Sequence, residues 1–177
     1  MRPFGIVGRK DSGKTHLVER LVREFRAPGP RVSTIKHTHH HAVEFDVPRQ
    51  GSPRHPPAGA AEVILASDRG WSLVHAGPTE RPPELPDLLA RLAPCDLVLV
   101  EGYKGLAALP RLEVYRPAGP NAPPPLAASD PGIVALACPA AAPAVPPGTR
   151  RLELDDTPGI ADFILAYEPG CAIVRGW

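Results

Sequence analysis

The sequence has almost no net charge, few cysteines and no long hydrophobic run. Lys plus Arg total 20 against 19 Asp plus Glu, so the net charge of +1 provides no overall field that would attract nucleic acid or membranes. The three cysteines include no Cys-x-x-Cys pair, which excludes a zinc ribbon and argues against a disulfide scaffold. No apolar run approaches the length of a membrane span, and no signal-peptide pattern follows Met1. These absences predict a protein of a reducing, cytoplasmic compartment.

Lysine is also scarce, whereas proline and glycine are abundant. The only lysines are Lys10, Lys14, Lys36 and Lys104. Their scarcity indicates that these positions are ones where a compact ammonium group is needed. The 25 Pro and 16 Gly predict long, stiff loops. A length of 177 residues and a hydrophobic content of 43% suit one folded domain with a core. We therefore expect a single domain over residues 1–177.

Hydrophobic patterning alternates between strands and helices. An apolar run ending at Val7 is followed by helical spacing over 15–25 and by a β-rich run over 32–36. Further strands are predicted at 62–66, 71–75, 96–101, 112–115 and 133–137, and helices at 85–92 and from Asp156 onward. This alternation predicts an α/β fold with a mostly parallel sheet flanked by helices. Residues 37–80 are predicted to form a His- and Pro-rich loop with an inserted β-hairpin.

Residues 8–15 match the P-loop pattern G-x-x-x-x-G-K-[ST] at every fixed position. They lie between a predicted strand and a predicted helix, so the fold is expected to be of the P-loop NTPase type. Its glycines would let backbone N–H groups surround phosphate oxygens at a helix N-terminus. Lys14 is expected to reach the β and γ phosphates, and Thr15 to place its hydroxyl on Mg²⁺. The candidate nucleotide-binding residues of the loop are Gly8, Lys10, Asp11, Ser12, Gly13, Lys14 and Thr15.

Glu101 is the expected partner of this loop. A magnesium ion at a phosphate site takes few protein ligands, one of them commonly a carboxylate, and Glu101 ends a strand beside the expected phosphate position. Glu101 and Thr15 are therefore candidate metal ligands, and Glu101 and Lys14 are candidate catalytic residues. Gly102 would let the following loop approach the nucleotide, and Lys104 would add positive charge.

Four histidines lie within residues 37–41. His37, His39 and His41 alternate, so they would share one face of a continued strand and could bind a transition metal. Histidines that line a phosphate or pterin pocket, or a solvated loop, would give the same pattern. The residues alone leave these three interpretations open. Glu44, Asp46 and Ser52 follow in the same loop and would approach the magnesium if it folded back.

Several segments together resemble the molybdopterin-guanine dinucleotide biosynthesis protein B family. They are GRKDSGKT, TIKHTHH from Thr34 to His40, Ala58-Gly59-Ala60 with the following VILAS, DLVLVEGYK from Asp96 to Lys104, and Ala161-Asp162-Phe163. All four lysines fall within these segments. The joint occurrence of IKHTHH and LVEGYK with a P-loop is far more specific than the P-loop alone.

The resemblance implies a function in molybdenum cofactor biosynthesis. It implies binding of GTP with Mg²⁺, weak GTPase activity at most, homodimerisation, and assistance to the guanylyltransferase that joins GMP to molybdopterin. By the same resemblance the P-loop, Glu101, Lys36 and His37 carry the family's functional positions. Pairing between two copies of the 62–75 hairpin is one expected route to the dimer.

Two segments depart from the pattern of that family. The loop Asp46-Val47-Pro48-Arg49-Gln50-Gly51-Ser52 keeps the first Asp and the Ser of the family's Asp-x-x-Gly-Lys-Asp-Ser stretch. Pro139 stands where the family often has a strand-end Asp that could read guanine, and the single Asn, Asn121, belongs to no N-K-x-D motif. Guanine preference therefore depends on the resemblance alone.

Two other classes remain as alternatives. In a metallochaperone GTPase, the histidine cluster would bind nickel or zinc and hydrolysis would release it. In a small P-loop kinase, an Arg-rich lid would bind a phosphoryl acceptor, and the Pro-rich segment 117–131 does not resemble one.

Overall fold

A computed structural model describes most of the chain. The described residues are 1–26, 29–37, 62–75, 83–103, 106, 109–119, 121–140, 142 and 145–168. The chain divides into two compact units, the first formed by Met1–Thr38 with Ala90–Trp177 and the second by His39–Leu89. The strands are β1 (Arg2–Val7), β2 (Val32–Lys36), β3 (Glu62–Ser67), β4 (Gly70–His75), β5 (Leu97–Glu101), β6 (Arg111–Val114), β7 (Ile133–Cys138) and β8 (Arg150–Glu153). The helices are α1 (Lys14–Glu24), α2 (Leu85–Leu89) and α3 (Thr157–Ala166).

The first unit is built on a six-stranded sheet in which every neighbouring pair is parallel. The strand order is β2-β5-β1-β6-β7-β8. Strand β5 is buried at all five positions, as expected for an apolar run between two neighbours with both faces covered. The α/β fold class predicted from the sequence is therefore confirmed.

Helices α1 and α3 cover one face of this sheet. Helix α1 places Leu17 and Leu21 against the sheet, and α3 contributes Ile160 and Ile164 to the same core cluster as Phe4 of β1. All five side chains are essentially excluded from solvent, and burying each one stabilises the fold by about 1.5–3 kcal/mol before the entropy cost of ordering it. Helix α1 is thereby fixed directly behind the loop that joins it to β1.

The ends of α3 are stabilised by named contacts. Asp156 is the N-cap and accepts a hydrogen bond from the Gly159 amide at 3.0 Å, with Pro158 in the first turn, which agrees with the helix start predicted from the sequence. At the other end the guanidinium of Arg2 donates to the carbonyls of Ile164 and Leu165, which the helix leaves without partners.

The second unit contains an antiparallel hairpin of β3 and β4. The two strands pair from Glu62 with His75 to Ser67 with Gly70, so the inserted hairpin predicted from the sequence is confirmed. Ile64 and Leu73 lie opposite each other on one face, where Ile64 is 65% exposed and Trp71 is 71% exposed.

Other elements depart from the sequence expectations. Strand β8 was not predicted, because Arg150–Glu153 is polar. A short 3₁₀ helix at Leu126–Ala128 was not predicted either, because it lies in a Pro-rich segment. Helix α2 ends at Leu89, short of the predicted 92. Within the described part of the chain, no helix is long and apolar enough to cross a membrane.

Candidate phosphate-binding site

The carboxyl ends of β1, β2 and β5 meet at one edge of the sheet. Ile6 of β1 and Lys36 of β2 both pair with Glu101, the last residue of β5. After β5 the chain crosses to β6 on the other side of β1, so this edge is a topological switch point, where α/β sheets commonly bind ligands. The predicted loop 8–15, Lys36 and Glu101 are thus brought to the same place.

The loop between β1 and α1 has the backbone conformation of a phosphate-binding turn. Gly8 and Gly13 have φ angles of 150° and 94°, and Asp11 adopts a left-handed conformation with φ of 59°. A Cβ on Gly8 would lie 2.5 Å from the carbonyl oxygen of Val114 and 2.7 Å from the Ser12 hydroxyl, so only glycine fits there. Gly13 is the N-cap of α1, and no side chain caps this helix N-terminus.

Ser12 carries a buried hydroxyl. The residue is 6% exposed, and its Oγ has no hydrogen-bond partner among the residues that the structure describes. Leaving such a group unpaired costs about 1–3 kcal/mol. Ser12 lies between Gly8 and the start of α1, so the polar interior of the loop suits an anionic ligand that could accept this hydrogen bond.

Lys14 lies across the loop that precedes it. Its ammonium donates a 2.6 Å hydrogen bond to the carbonyl oxygen of Arg9. Lys10 and Asp11 are exposed on the same loop, and Arg9 donates at 3.0 Å to the carbonyl of Pro124. The loop is therefore fastened to the Pro-rich segment through Arg9 and closed on itself by Lys14.

Thr15, Glu101 and Lys36 form a compact polar cluster. The Thr15 hydroxyl donates to Glu101 Oε1 at 2.7 Å, and Lys36 Nζ donates to Thr15 Oγ1 at 3.1 Å and lies 3.7 Å from Glu101 Oε1. Glu101 is 8% exposed, so its carboxylate relies on these two partners for its solvation. The sequence placed these three residues in different segments, and the fold brings them together.

This cluster fits a magnesium ion. A hydroxyl oxygen and a carboxylate oxygen 2.7 Å apart are the hard ligands that Mg²⁺ prefers, and the ion keeps waters at its other positions. Both oxygens adjoin the start of α1, where a phosphate would supply further oxygens. In the part of the chain described by the structure, no group of three His, Cys, Asp or Glu side chains forms a metal site by itself.

His37 borders the same cluster. Its amide donates to the Glu101 carbonyl at 2.9 Å, and its ring contacts that of Tyr103 with 4.6 Å between the centroids. Gly102 and Tyr103 both have positive φ, and a Cβ on Gly102 would lie 3.1 Å from that of His37. The turn after β5 is therefore shaped to fit His37. Other candidates lie outside the described residues: His39, His41, Glu44, Asp46, Ser52 and Lys104.

A cavity of about 380 Å³ opens from the polar cluster along α1. Thr15, Lys36 and Glu101 line one part of it, and Val18 and Val22 of α1 contribute apolar surface. The hydroxyl oxygen of Thr15 and the carboxylate of Glu101 therefore border a cavity that opens to solvent.

Comparison with known proteins decides the family. The family model for molybdopterin guanine dinucleotide synthesis protein B (MobB) matches residues 4–139. The molybdopterin-guanine dinucleotide biosynthesis adapter protein of Haemophilus influenzae is 38% identical over 172 residues, covering 91% of this chain and 86% of that protein. The adapter protein of Escherichia coli is 32% identical over 160 residues, covering 88% and 87%. This chain belongs to the MobB family.

Solved MobB structures share its fold. A MobB homologue from Bacillus stearothermophilus superimposes with a TM-score of 0.61 at 26% identity, covering 93% of this chain and 96% of that one. Bacillus subtilis MobB gives a TM-score of 0.71 at 22% identity, covering 96% and 99%. The family resemblance drawn from GRKDSGKT, IKHTHH and LVEGYK is therefore confirmed, together with the P-loop type of fold.

Sequence reasoning missed two polar residues near this candidate site, both at the end of β6. Glu113 is fully buried and accepts hydrogen bonds from the amides of Leu126 and Ala127, both at 2.9 Å, which fixes the Pro-rich segment. Arg116 lies two residues after the strand, beside the P-loop. A signal existed for Arg116, because it follows a predicted strand as Glu101 does, but no motif distinguishes it.

Proposed function

We propose that this chain binds GTP with Mg²⁺ at the P-loop and acts as an adapter in the biosynthesis of molybdopterin guanine dinucleotide. The observation that carries the proposal is the 2.7 Å contact between Thr15 and Glu101 beside the loop 8–15. It joins the two residues that a metal-bound nucleotide needs, although 86 positions separate them in the sequence. Membership of the MobB family supplies the pathway.

Each residue of the site has a distinct role in this proposal. The amides of the loop, with the N-terminus of α1, hold the phosphate oxygens, and the Ser12 hydroxyl gains an acceptor. When nucleotide binds, the ammonium of Lys14 leaves the Arg9 carbonyl and contacts the β and γ phosphates. Thr15 and Glu101 hold Mg²⁺, which when bound neutralises phosphate charge. Lys36 lies on the metal side of Thr15, where its ammonium reaches the terminal phosphate. His37 positions the turn after β5.

The environment of Glu101 favours binding over rapid hydrolysis. Its carboxylate already accepts from Thr15 and adjoins Lys36, and a carboxylate so engaged is suited to holding a metal. A general base must be free to contact the attacking water, and Glu101 Oε1 is already engaged by the Thr15 hydroxyl. We therefore propose GTPase activity that is weak at most, with Lys14 contacting the phosphates and Glu101 holding the Mg²⁺ that neutralises their charge.

The relatives are named adapter proteins, and this name supports a role in which the chain contacts other proteins of the pathway. We propose that the GTP-bound chain contacts the guanylyltransferase and molybdopterin, in the cytoplasm, and that two copies associate through the 62–75 hairpin. The exposed Ile64 and Trp71 on one face of that hairpin support an interface there. Free, buried Cys95 and Cys138 suit a reducing compartment.

Calorimetric titration tests whether the chain binds nucleotide at the P-loop and whether it prefers GTP to ATP. Wild type, Lys14→Ala and the control Arg150→Ala are each titrated with GTP and with ATP, with and without Mg²⁺. The proposal expects GTP to bind more tightly than ATP, and Lys14→Ala to weaken GTP about 100-fold, because a charge-assisted contact to phosphate is lost. Arg150 is exposed at the start of β8, on the opposite edge of the sheet, and its replacement should change nothing. Equal binding of ATP, or full affinity in Lys14→Ala, would contradict the proposal.

Reconstitution tests the adapter role. Formation of molybdopterin guanine dinucleotide by a purified guanylyltransferase is measured with and without this chain and its Lys14→Ala variant. The expected result is stimulation by wild type only. Equal stimulation by both proteins would separate the adapter role from nucleotide binding.

A further inference from the structure

Arg116 lies beside the P-loop on the side away from Glu101. Strands β5 and β6 flank β1 on opposite sides, and Val7 of β1 pairs with Glu113, so the residues after β6 lie level with the loop. The Nε of Arg116 is 3.5 Å from the position that a Cβ on Gly13 would take. The side chain therefore adjoins the residue directly before Lys14, at the N-terminus of α1.

The chain around Arg116 is firmly held, but its guanidinium is not. Tyr115 donates through its hydroxyl to the carbonyl of Pro123 at 3.0 Å, and the carboxylate of Glu113 accepts two amides of the Pro-rich segment. Arg116 itself is exposed and makes no hydrogen bond or ion pair with any residue in the described ranges.

Two other arginines of the first unit have defined structural partners. Arg111 forms a bidentate pair with Asp130 at 2.8 Å, and Arg9 donates to the Pro124 carbonyl. Arg116 has an equally well-anchored backbone and no such partner. An unpaired guanidinium on a held backbone, next to a loop that exposes amide N–H groups, can serve a ligand that accepts from both.

We propose that Arg116 contacts the phosphate chain of the bound nucleotide, opposite Lys36 and Glu101. A guanidinium offers paired N–H donors that match phosphate oxygens, and it stays charged at any physiological pH. The ligand class is a nucleoside diphosphate or triphosphate, held from one side by Lys14, Lys36 and the metal, and from the other by Arg116. This inference rests on the proposed function of the P-loop.

Titration with GTP, GDP and inorganic pyrophosphate tests the contact. The proteins are wild type, Arg116→Ala, Arg116→Lys and the control Arg150→Ala, which removes an exposed arginine from the opposite edge of the sheet. We expect Arg116→Ala to weaken all three ligands about tenfold or more, because one charge-assisted contact is lost. Arg116→Lys should recover part of the loss, and the melting temperature without ligand should not change.

The two failures are distinguishable. If Arg116→Ala leaves the affinities unchanged while Lys14→Ala loses them, the Arg116 contact is refuted and the P-loop function stands. If Arg116→Ala weakens GDP but not pyrophosphate, the side chain contacts the nucleoside, and the phosphate proposal is refuted. If Lys14→Ala also binds GTP normally, the proposed function itself fails.

Discussion

The two halves of one sheet edge are built differently. At the ends of β2 and β5, the side chains of Lys36 and Glu101 meet Thr15 within hydrogen-bond or ion-pair distance. At the end of β7, Pro139 and Ala140 present main-chain carbonyls, and Arg151 of β8 donates to both at 2.8 Å. Charged side chains therefore gather at the ends of β2 and β5. At the end of β7, the charged side chain of Arg151 binds main-chain carbonyls instead.

The difference follows from what each half would recognise. Phosphates are charged and, besides main-chain amides, are bound by cationic side chains and by a metal that side-chain oxygens hold, which only particular residue types supply. A base is neutral and can be recognised by main-chain groups whose sequence carries no motif. In the proposed account, phosphate binding therefore depends on individual side chains. We add the prediction that base selection depends on the main chain at Pro139 and Ala140.

Gly8→Ala should produce the largest loss on the phosphate half. The added Cβ would meet the Val114 carbonyl at 2.5 Å, so the loop must shift and GTP affinity should fall by about 100-fold or more. Gly119→Ala is the matched control, because Gly119 has a similar φ of 143° and open space around it. It should cost about 1–2 kcal/mol of unfolding free energy and leave GTP affinity unchanged. Calorimetry and urea denaturation measure the two effects, and equal affinity losses would contradict the account.

Lys36→Ala should have a smaller and more selective effect. Its ammonium lies beside Thr15 and Glu101. In the proposed function these two residues hold the metal next to the terminal phosphate. We expect about a tenfold loss for GTP and a smaller loss for GDP, because one charge-assisted contact disappears. Parallel titrations with the two nucleotides check this. Equal losses would place Lys36 away from the terminal phosphate.

Arg151→Ala tests the other half of the edge. Without Arg151 the Ala140 carbonyl loses this donor and the Pro139 carbonyl keeps the Ala142 amide. The ratio of GTP to ATP affinity should therefore fall a fewfold while the shared phosphate contacts persist. Arg150→Ala, one residue earlier on the same strand, should leave the ratio unchanged. A loss of affinity for both nucleotides alike would show that this loop does not discriminate between bases.

Cys138 gives the smallest effect, and it depends on pH. Burial raises the pKa of the Cys138 thiol, while Arg151 opposes the shift. The unfolded thiol then ionises at lower pH than the folded one, so the free energy of unfolding should fall as pH rises above the usual thiol value of 9.0. The loss is about 1.4 kcal/mol for each unit of pKa difference. Urea denaturation from pH 7 upward should show less of this decline in Cys138→Ala, and identical profiles would exclude the thiol as the cause.

Motif and periodicity were sufficient to locate most of the charged side chains in the half of the edge that we propose binds phosphate. The P-loop pattern placed Lys14 and Thr15, and an unbroken apolar run ending in a carboxylate placed Glu101, because both signals are local in sequence. The alternation of strands and helices gave the parallel sheet for the same reason. The strand order put Lys36 next to Glu101, a consequence of topology that the sequence alone does not contain.

The elements that sequence reasoning missed depend on distant contacts. Strand β8 is polar, and it forms because β7 offers a parallel neighbour for Arg150–Glu153. Glu113 lies in a strand with no motif, and its role follows from two amides 13 and 14 residues away. Arg116 lies beside the P-loop only because β6 pairs with β1. Each is specified by tertiary neighbours and not by local pattern.

The Mg²⁺-dependent GTP affinity of a double-mutant cycle tests the central claim most directly. Wild type, Thr15→Ala, Glu101→Gln and the double variant are titrated with GTP in the presence of Mg²⁺ and of EDTA. The account predicts that each single variant loses most of the gain in affinity that Mg²⁺ gives, and that the double variant is little worse than either. Additive losses, or a full Mg²⁺ effect in either single variant, would contradict a shared metal site at Thr15 and Glu101.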